Sequence, residues 1–170
     1  MSPKKIIKIP KIKNTFQCAR NILNYSSIEI SDRFDKDTFN SEKFLTKLPI
    51  TSPKMIVLLN KIAELDKADF KKDRKLYKHF IFSDLKKGYG AKILTSGFIA
   101  AGYSLVMEAK GSKIVLDEDL LNDNNEAKFV VLSSTALWNI PINQKITKEI
   151  LTSFNARPSN IYGDKIRFII

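Results

Sequence analysis

The chain of 170 residues is long enough for one domain with a short appendage, and its 44% hydrophobic and 28% charged residues exclude a disordered composition. The formal net charge of +11 favours a polyanionic partner, either nucleic acid or an anionic membrane surface, although a lysine-rich composition that only maintains solubility has the same charge. One cysteine and one histidine exclude an intramolecular disulfide, a multi-cysteine zinc site and any site that needs two imidazoles. No apolar run approaches the roughly 20 residues that span a bilayer, so we expect no membrane partner.

Residues 1–46 are predicted to form a basic N-terminal extension and a connector. The first 20 residues contain five lysines and one arginine and no acidic residue. The segment 4–13, KKIIKIPKIK, is compatible with an edge strand, with a basic arm that pairs with phosphates, or with an irregular terminus. Pro10 argues against a membrane-surface helix, because proline breaks a helix.

Helices are predicted on both sides of a polar connector. The pattern at 15–23 is weakly helical, and the stretch 25–48 favours a connector with at most a short helix at 41–45, capped by Ser41. A clearer helix covers 55–68. It is preceded by Ser52 as the N-cap and by a first-turn proline.

A strand-to-helix step follows the charged segment 68–78, which we interpret as a solvated connector. A buried strand is predicted at His79–Phe82, a polar turn at Ser83–Gly90, and a helix at Ala91–Ala101 that ends at Gly102. In α/β sheets, ligands usually bind in the loops at the carboxyl ends of the strands. The loop SDLKKGYG is therefore the first candidate for a functional site.

The rest of the chain continues the alternation of strands and helices. Further strands are predicted at 103–109, 128–134 and 165–170, with a short helix in the acidic segment 114–127 and a longer helix at 142–155. This alternation is typical of a parallel α/β sheet with right-handed crossovers.

The loop KKGYGAK has the strand–loop–helix arrangement that cradles phosphates, but it fits neither GxxxxGK[ST] nor GxGxxG. Its glycines are compatible with a tight turn alone. Otherwise, Tyr89 is positioned to stack on a base, and Lys86, Lys87 and Lys92 to pair with phosphates.

Hydroxyl groups mark the end of another predicted strand. Ser133, Ser134 and Thr135 are suited either to bond phosphate oxygens or to cap the next helix. The nucleophile elbow GxSxG is absent. We expect no catalytic residue and no metal site, because the acids around Asp117–Asp123 would point in different directions on a short helix.

Four runs of sequence carry a resemblance to a known family. They are SPKMIVLLNKIAELD, KHFIFSDLKKGYGAKILTSGFIAAGY, FVVLSSTALW and ILTSFNARPSNIYGDKIRFII. In this order they resemble the C-terminal, second RecA-like lobe of superfamily 2 helicases, and most closely the helicase-like and early-transcription-factor-like proteins of large DNA viruses. HFIFSD matches the strand of motif IV. The resemblance covers about residues 47–170 and implies a partial RecA-like parallel sheet flanked by helices.

The resemblance also implies the site and its partners. Carried over by position, motif IV places Ser83, Asp84, Lys86 and Lys87 near a nucleic-acid backbone, and 133–135 in the next strand-end loop on the same face. The chain would then be a truncated or split relative that binds DNA or RNA without sequence specificity, in host cytoplasm, in a virion or viral factory, or otherwise inside a cell.

Two other functions remain open on the sequence alone. The chain is also compatible with an interaction module that docks on a larger helicase or transcription complex through a sheet edge left open after Ile170. The third alternative is a complete small α/β enzyme with an unrecognised site.

The motifs predict that the chain alone does not hydrolyse ATP. The chain ends before motifs V and VI and lacks the Walker A and acidic Mg²⁺ motifs, so we expect it to bind no cofactor. ATP and Mg²⁺ would bind only if a partner chain completed the site. A steady-state phosphate-release assay with Mg²⁺–ATP and single-stranded DNA should therefore show no turnover. Multiple turnovers by the purified chain would contradict this expectation.

Overall fold

A computed structural model of the chain describes residues 15–85, 88–123 and 127–170, with only the backbone at 15–18, Ser134 and Ala136. The predicted basic segment 4–13 and the site residues Lys86 and Lys87 lie outside the described residues.

The described residues form a mixed helix-and-strand structure. The helices are α1 (Thr15–Asn24), α2 (Ser41–Thr51), α3 (Pro53–Asp73), α4 (Ile93–Ala100), α5 (Glu118–Asn122), α6 (Ser134–Trp138) and α7 (Gln144–Asn155). The strands are β1 (His79–Phe80), β2 (Ser104–Leu105), β3 (Met107–Lys110), β4 (Lys113–Leu116), β5 (Lys128–Val130) and β6 (Phe168–Ile169). A 3₁₀ turn covers Ile30–Asp32, and a π-helical turn, Gly88–Lys92, leads into α4. None of the helices in the described ranges has the length and apolar character required to cross a membrane.

The four strands β1, β6, β5 and β2 lie in this order in one parallel sheet. The last strand of the chain is inserted between β1 and β5, with Phe168 opposite both His79 and Phe129. β3 and β4 form a separate antiparallel hairpin. The fold is therefore α/β with a parallel sheet flanked by helices, as predicted, and is consistent with a partial RecA-like domain.

Aromatic side chains join α4 to the sheet. The ring of Phe98 lies 5.3 Å from that of Phe129 and 5.4 Å from that of Phe168. Tyr103, just after α4, meets the Phe168 ring edge-on at 5.0 Å. Each such pair stabilises the fold by about 0.5–1.5 kcal/mol in addition to the stabilisation that comes from burying its surface. Trp138 is half-buried and meets Phe34 edge-on at 6.2 Å.

A second core cluster lies between α2, α3 and α4. Tyr25 and Phe44 are fully buried and stack with their centroids 5.8 Å apart, and both belong to one cluster with Ile93. This cluster contains residues from both sides of the domain boundary predicted between 46 and 47. The boundary itself stays a prediction.

Two predicted connectors are wrong. α2 continues to Thr51 and is capped by the Asn40 side chain, not by Ser41. α3 continues to Asp73, through the charged stretch that we interpreted as a connector. Buried residues anchor both helices, Phe44 and Leu48 in α2 and Met55 and Ile62 in α3. From this anchored part, α3 continues into the exposed charged residues.

The hairpin strand β4 was missed as well. Residues 114–116 pair with β3 instead of starting the acidic helix, because Ile114 is buried opposite Ala109. The short helix α5 forms as predicted, and the Asp117 carboxylate caps it by accepting a hydrogen bond from Leu120 N at 3.0 Å.

A buried charge pair holds α3 against the amino edge of the sheet. Arg167, which directly precedes β6, is 3% exposed and pairs with Asp66 of α3. Its Nε also donates to the Tyr77 carbonyl oxygen at 3.3 Å. The imidazole of His79 stacks on Phe168 at 5.2 Å, and its Nε2 lies 3.6 Å from Asp66 Oδ1.

His79 is predicted to make folding stability pH-dependent. Burial, together with the Arg167 charge, lowers its pKa below the ordinary value, although Asp66 opposes the shift. The unfolded chain therefore binds a proton before the native state does, and stability falls as the pH drops from about 7 to about 5. Urea unfolding across this range should show a smaller fall for His79→Gln. A ¹H NMR titration of this single histidine that gives a pKa above the ordinary value would contradict the prediction.

Candidate functional site

The structure brings two of the predicted site residues together at the carboxyl edge of the sheet. Ser83 follows β1 and Ser133 follows β5, and both line a cavity of about 300 Å³ with Ile170, at the end of β6 between them. The rest of the wall is mostly apolar and includes Phe82 and Leu132. This cavity lies where ligands of parallel α/β sheets usually bind.

The two serines have different local roles. Ser83 Oγ accepts a hydrogen bond from Leu85 N at 3.3 Å and so shapes the turn. Ser133 occupies the N-cap position of α6, but its side chain makes no capping hydrogen bond there. A hydroxyl in each strand-end loop can donate a hydrogen bond to an oxyanion in the cavity.

A cationic groove adjoins the cavity. It has a volume of about 390 Å³ and lies between α1, the start of α3 and the loop after β1. Arg20 and Lys54 line it, and Arg20 forms an ion pair with Asp84. The Asp84 side chain is 58% exposed, and its carboxylate faces the Arg20 guanidinium, so it offsets the positive charge of Arg20 in the groove. Sequence reasoning missed both cations, because only the tertiary packing of α1 and α3 brings them to this loop.

The remaining predicted residues lie elsewhere in the fold. Tyr89 lines neither the cavity nor the groove. It is half-buried against the second core cluster, and its carbonyl oxygen accepts a hydrogen bond from Asn24 Nδ2. Thr135 is exposed in the first turn of α6, and Ser134 opens that helix. Lys92, also considered for phosphate pairing, is partly buried and pairs with Asp35 at 2.8 Å.

No metal centre is evident in the parts of the chain that the structure describes: no three His, Cys, Asp or Glu side chains there are grouped to hold an ion. The cavity and the groove present hydroxyl groups, the cations Arg20 and Lys54, the Asp84 carboxylate and an apolar floor.

Comparisons of the chain with protein-family models, with curated proteins and with solved structures gave no match.

Gly90 allows the loop after β1 to fold back on itself before α4. A Cβ at this position would lie 1.5 Å from the Leu85 carbonyl oxygen, so no other residue fits the observed backbone. Ala91 N donates to the same oxygen at 3.3 Å. The glycine therefore fixes the path of the loop that carries Ser83 and Asp84.

We expect Gly90→Ala to destabilise the protein by about 3 kcal/mol, the upper part of the range for single substitutions, because the backbone of the loop must move. Gly111→Ala is the control: Gly111 has φ +61° with open space around its Cβ position, so the cost there is only that of a left-handed residue, about 1 kcal/mol. Urea unfolding measures both values. Equal losses would show that the close approach of Gly90 to Leu85 is unimportant.

Proposed function

We propose that the chain binds the sugar–phosphate backbone of nucleic acid at the carboxyl edge of its sheet, without sequence specificity. The observation that carries the proposal is the meeting of Ser83 and Ser133 across β6 at one cavity, beside the groove lined by Arg20 and Lys54. Hydroxyls and basic side chains are the groups with which proteins position phosphates.

The net charge supports a polyanionic ligand. A chain of charge +11 attracts phosphates over distances beyond direct contact, and each neutralised phosphate releases counterions. Lys86 and Lys87 follow Leu85, which lines both the cavity and the groove. The sequence therefore carries two further positive charges directly after a residue of the proposed site.

The resemblance to the second lobe of superfamily 2 helicases supports the same edge of the sheet, since motif IV matches β1 and its loop. A helicase-like, viral origin is part of this proposal. The proposed activity is binding alone, with no step of nucleotide hydrolysis; ATP and Mg²⁺ would enter only together with a partner chain.

An exposed sheet edge favours docking on a larger helicase or transcription subunit as the second candidate. The edge expected after Ile170 is not open, because β6 lies inside the sheet between β1 and β5. The exposed edge strand is β1, where Phe80 is 65% exposed, and Phe82, two residues after this strand, is 81% exposed. Edge strands with exposed apolar side chains pair readily with other chains. In contrast to nucleic-acid binding, such docking would depend little on salt.

The charge-reversal variant Lys86→Glu/Lys87→Glu tests the proposal. Fluorescence anisotropy with a labelled oligothymidine should show weaker binding than wild type. Its slope of log K against log salt should be shallower by about 1.4, because each phosphate contact to a single strand contributes roughly 0.7.

The matched control is Lys145→Glu/Lys148→Glu on the exposed face of α7, which changes the net charge equally. It should retain most of the wild-type affinity and the wild-type slope. Binding that is unchanged at high salt, or equal losses in both variants, would refute a site at the carboxyl edge.

A further inference from the structure

Positive charge is concentrated at the C-terminal end of α3, on the side of the sheet opposite to the cavity. The segment 67–78 contains six basic and two acidic residues. It directly precedes β1, so it lies at the amino edge of the parallel sheet. Lys71, Lys72, Arg74 and Lys75 are all exposed. The proposed function does not use this part of the protein.

Three of these cations lie against aromatic rings. Arg74 is 5.5 Å from the centroid of Phe70, Lys75 is 4.8 Å from that of Tyr162, and Lys78 is 4.6 Å from that of Phe154. None of the three forms a salt bridge with a described carboxylate, whereas Lys72 of the same segment lies 3.7 Å from Asp73 Oδ2. The charges of Arg74 and Lys75 are therefore available to a ligand, because a ring attracts a cation without neutralising it. Lys78 is half-buried, and its Nζ also donates to the Phe154 carbonyl oxygen at 2.5 Å.

Two tyrosines extend the aromatic surface. The rings of Tyr77 and Tyr162 meet at 6.0 Å, and the hydroxyl of Tyr77 donates to Asp73 Oδ2 at 2.8 Å. Tyr77 and Phe70 are 38% and 50% exposed. A planar ring held beside several cations is the arrangement that binds an unpaired base together with its phosphates.

The loop that carries Tyr162 is held in place by one buried side chain. Asn160 is fully buried, its Nδ2 donates to the carbonyl oxygens of Phe154 and Ile166 at 3.0 Å each, and its Oδ1 accepts from Lys165 N at 2.7 Å. Gly163, at φ +89°, lets the loop approach Arg167 closely. The ring is thus preorganised, which lowers the entropy cost of binding.

We propose that this surface, formed by Phe70, Lys71, Lys72, Arg74, Lys75, Tyr77 and Tyr162 and called here the α3-end surface, is a second binding site for single-stranded nucleic acid. Bases stack on its tyrosine rings while its lysines and arginine pair with the flanking phosphates. The aromatic rings favour a single strand over a duplex, whose bases are already stacked. They also favour it over an anionic membrane, which needs an insertable aliphatic face that the charged end of α3 does not present.

The electrostatic part is tested with Lys71→Glu/Lys72→Glu in the full chain, beside the variants at Lys86/Lys87 and Lys145/Lys148. All three double variants change the net charge equally. With a labelled oligothymidine we expect about tenfold weaker binding and a shallower salt slope for Lys71→Glu/Lys72→Glu than for the α7 control. An affinity equal to that of the control would overturn the inference. If affinity falls only in Lys86→Glu/Lys87→Glu, the proposed function stands and the inference fails. If affinity falls only in Lys71→Glu/Lys72→Glu, the inference stands and the proposed function is refuted.

The stacking part is tested with an abasic oligomer of the same length and charge. Wild type should bind it about tenfold more weakly than oligothymidine, and Tyr162→Leu should remove most of this difference while leaving the salt slope unchanged.

Ultraviolet crosslinking of wild type to oligothymidine, followed by peptide mapping, needs no variant and should identify Tyr77 or Tyr162. Equal affinity for the two oligomers, with crosslinks only to other peptides, would overturn stacking. Binding to phosphatidylserine vesicles but not to oligothymidine would assign the surface to a membrane and also overturn the inference.

Discussion

The insertion of β6 between β1 and β5, secured by the buried pair of Arg167 and Asp66, is the constraint on which the rest of the structure depends. The strand joins parts of the chain that are some 90 residues apart, and it contributes Phe168 to the aromatic cluster under α4. Removing one partner of a buried ion pair typically costs about 3–5 kcal/mol, because the other charge is left without compensation. The same arginine also holds the Tyr77 carbonyl, so it links α3, β1 and β6.

This one insertion determines what lies at each edge of the sheet. At the carboxyl edge it separates β1 from β5 by one strand, so that Ser83 and Ser133 face a shared cavity with Ile170 between them. At the amino edge it draws the end of α3 and the Asn160 loop together, and Lys75 meets Tyr162. Both proposed surfaces for nucleic acid therefore depend on the same strand order, although they use different residues and different parts of the ligand.

The second core cluster holds residues that precede α3 beside the candidate site. Tyr25 and Phe44 pack with Ile93 of α4, while Asn24 bonds to Tyr89 in the turn after β1. α1 is thereby held beside the loop, and Arg20 reaches Asp84. The groove is thus built jointly by α1, the start of α3 and the strand-end loop that follows β1.

The sequence by itself determined the α/β class, the parallel sheet and the order of strand, loop and helix at His79–Gly102, because hydrophobic period and turn residues are local properties. The prediction that the strand His79–Phe82 is buried was wrong: β1 covers His79–Phe80 at the edge of the sheet, and Phe80 is 65% exposed. It also located Ser83 and Ser133 at strand ends. Only the tertiary structure decided that these serines share a cavity, that Arg20 and Lys54 join them, and that Tyr89 packs inward. It also decided that the charged stretch after residue 68 continues α3 to Asp73 and that Lys75, beyond the helix, lies against Tyr162. Each of these outcomes depends on which strand becomes the neighbour of which. That choice is made by burial and ion pairing between residues distant in the chain, where local patterns carry no information.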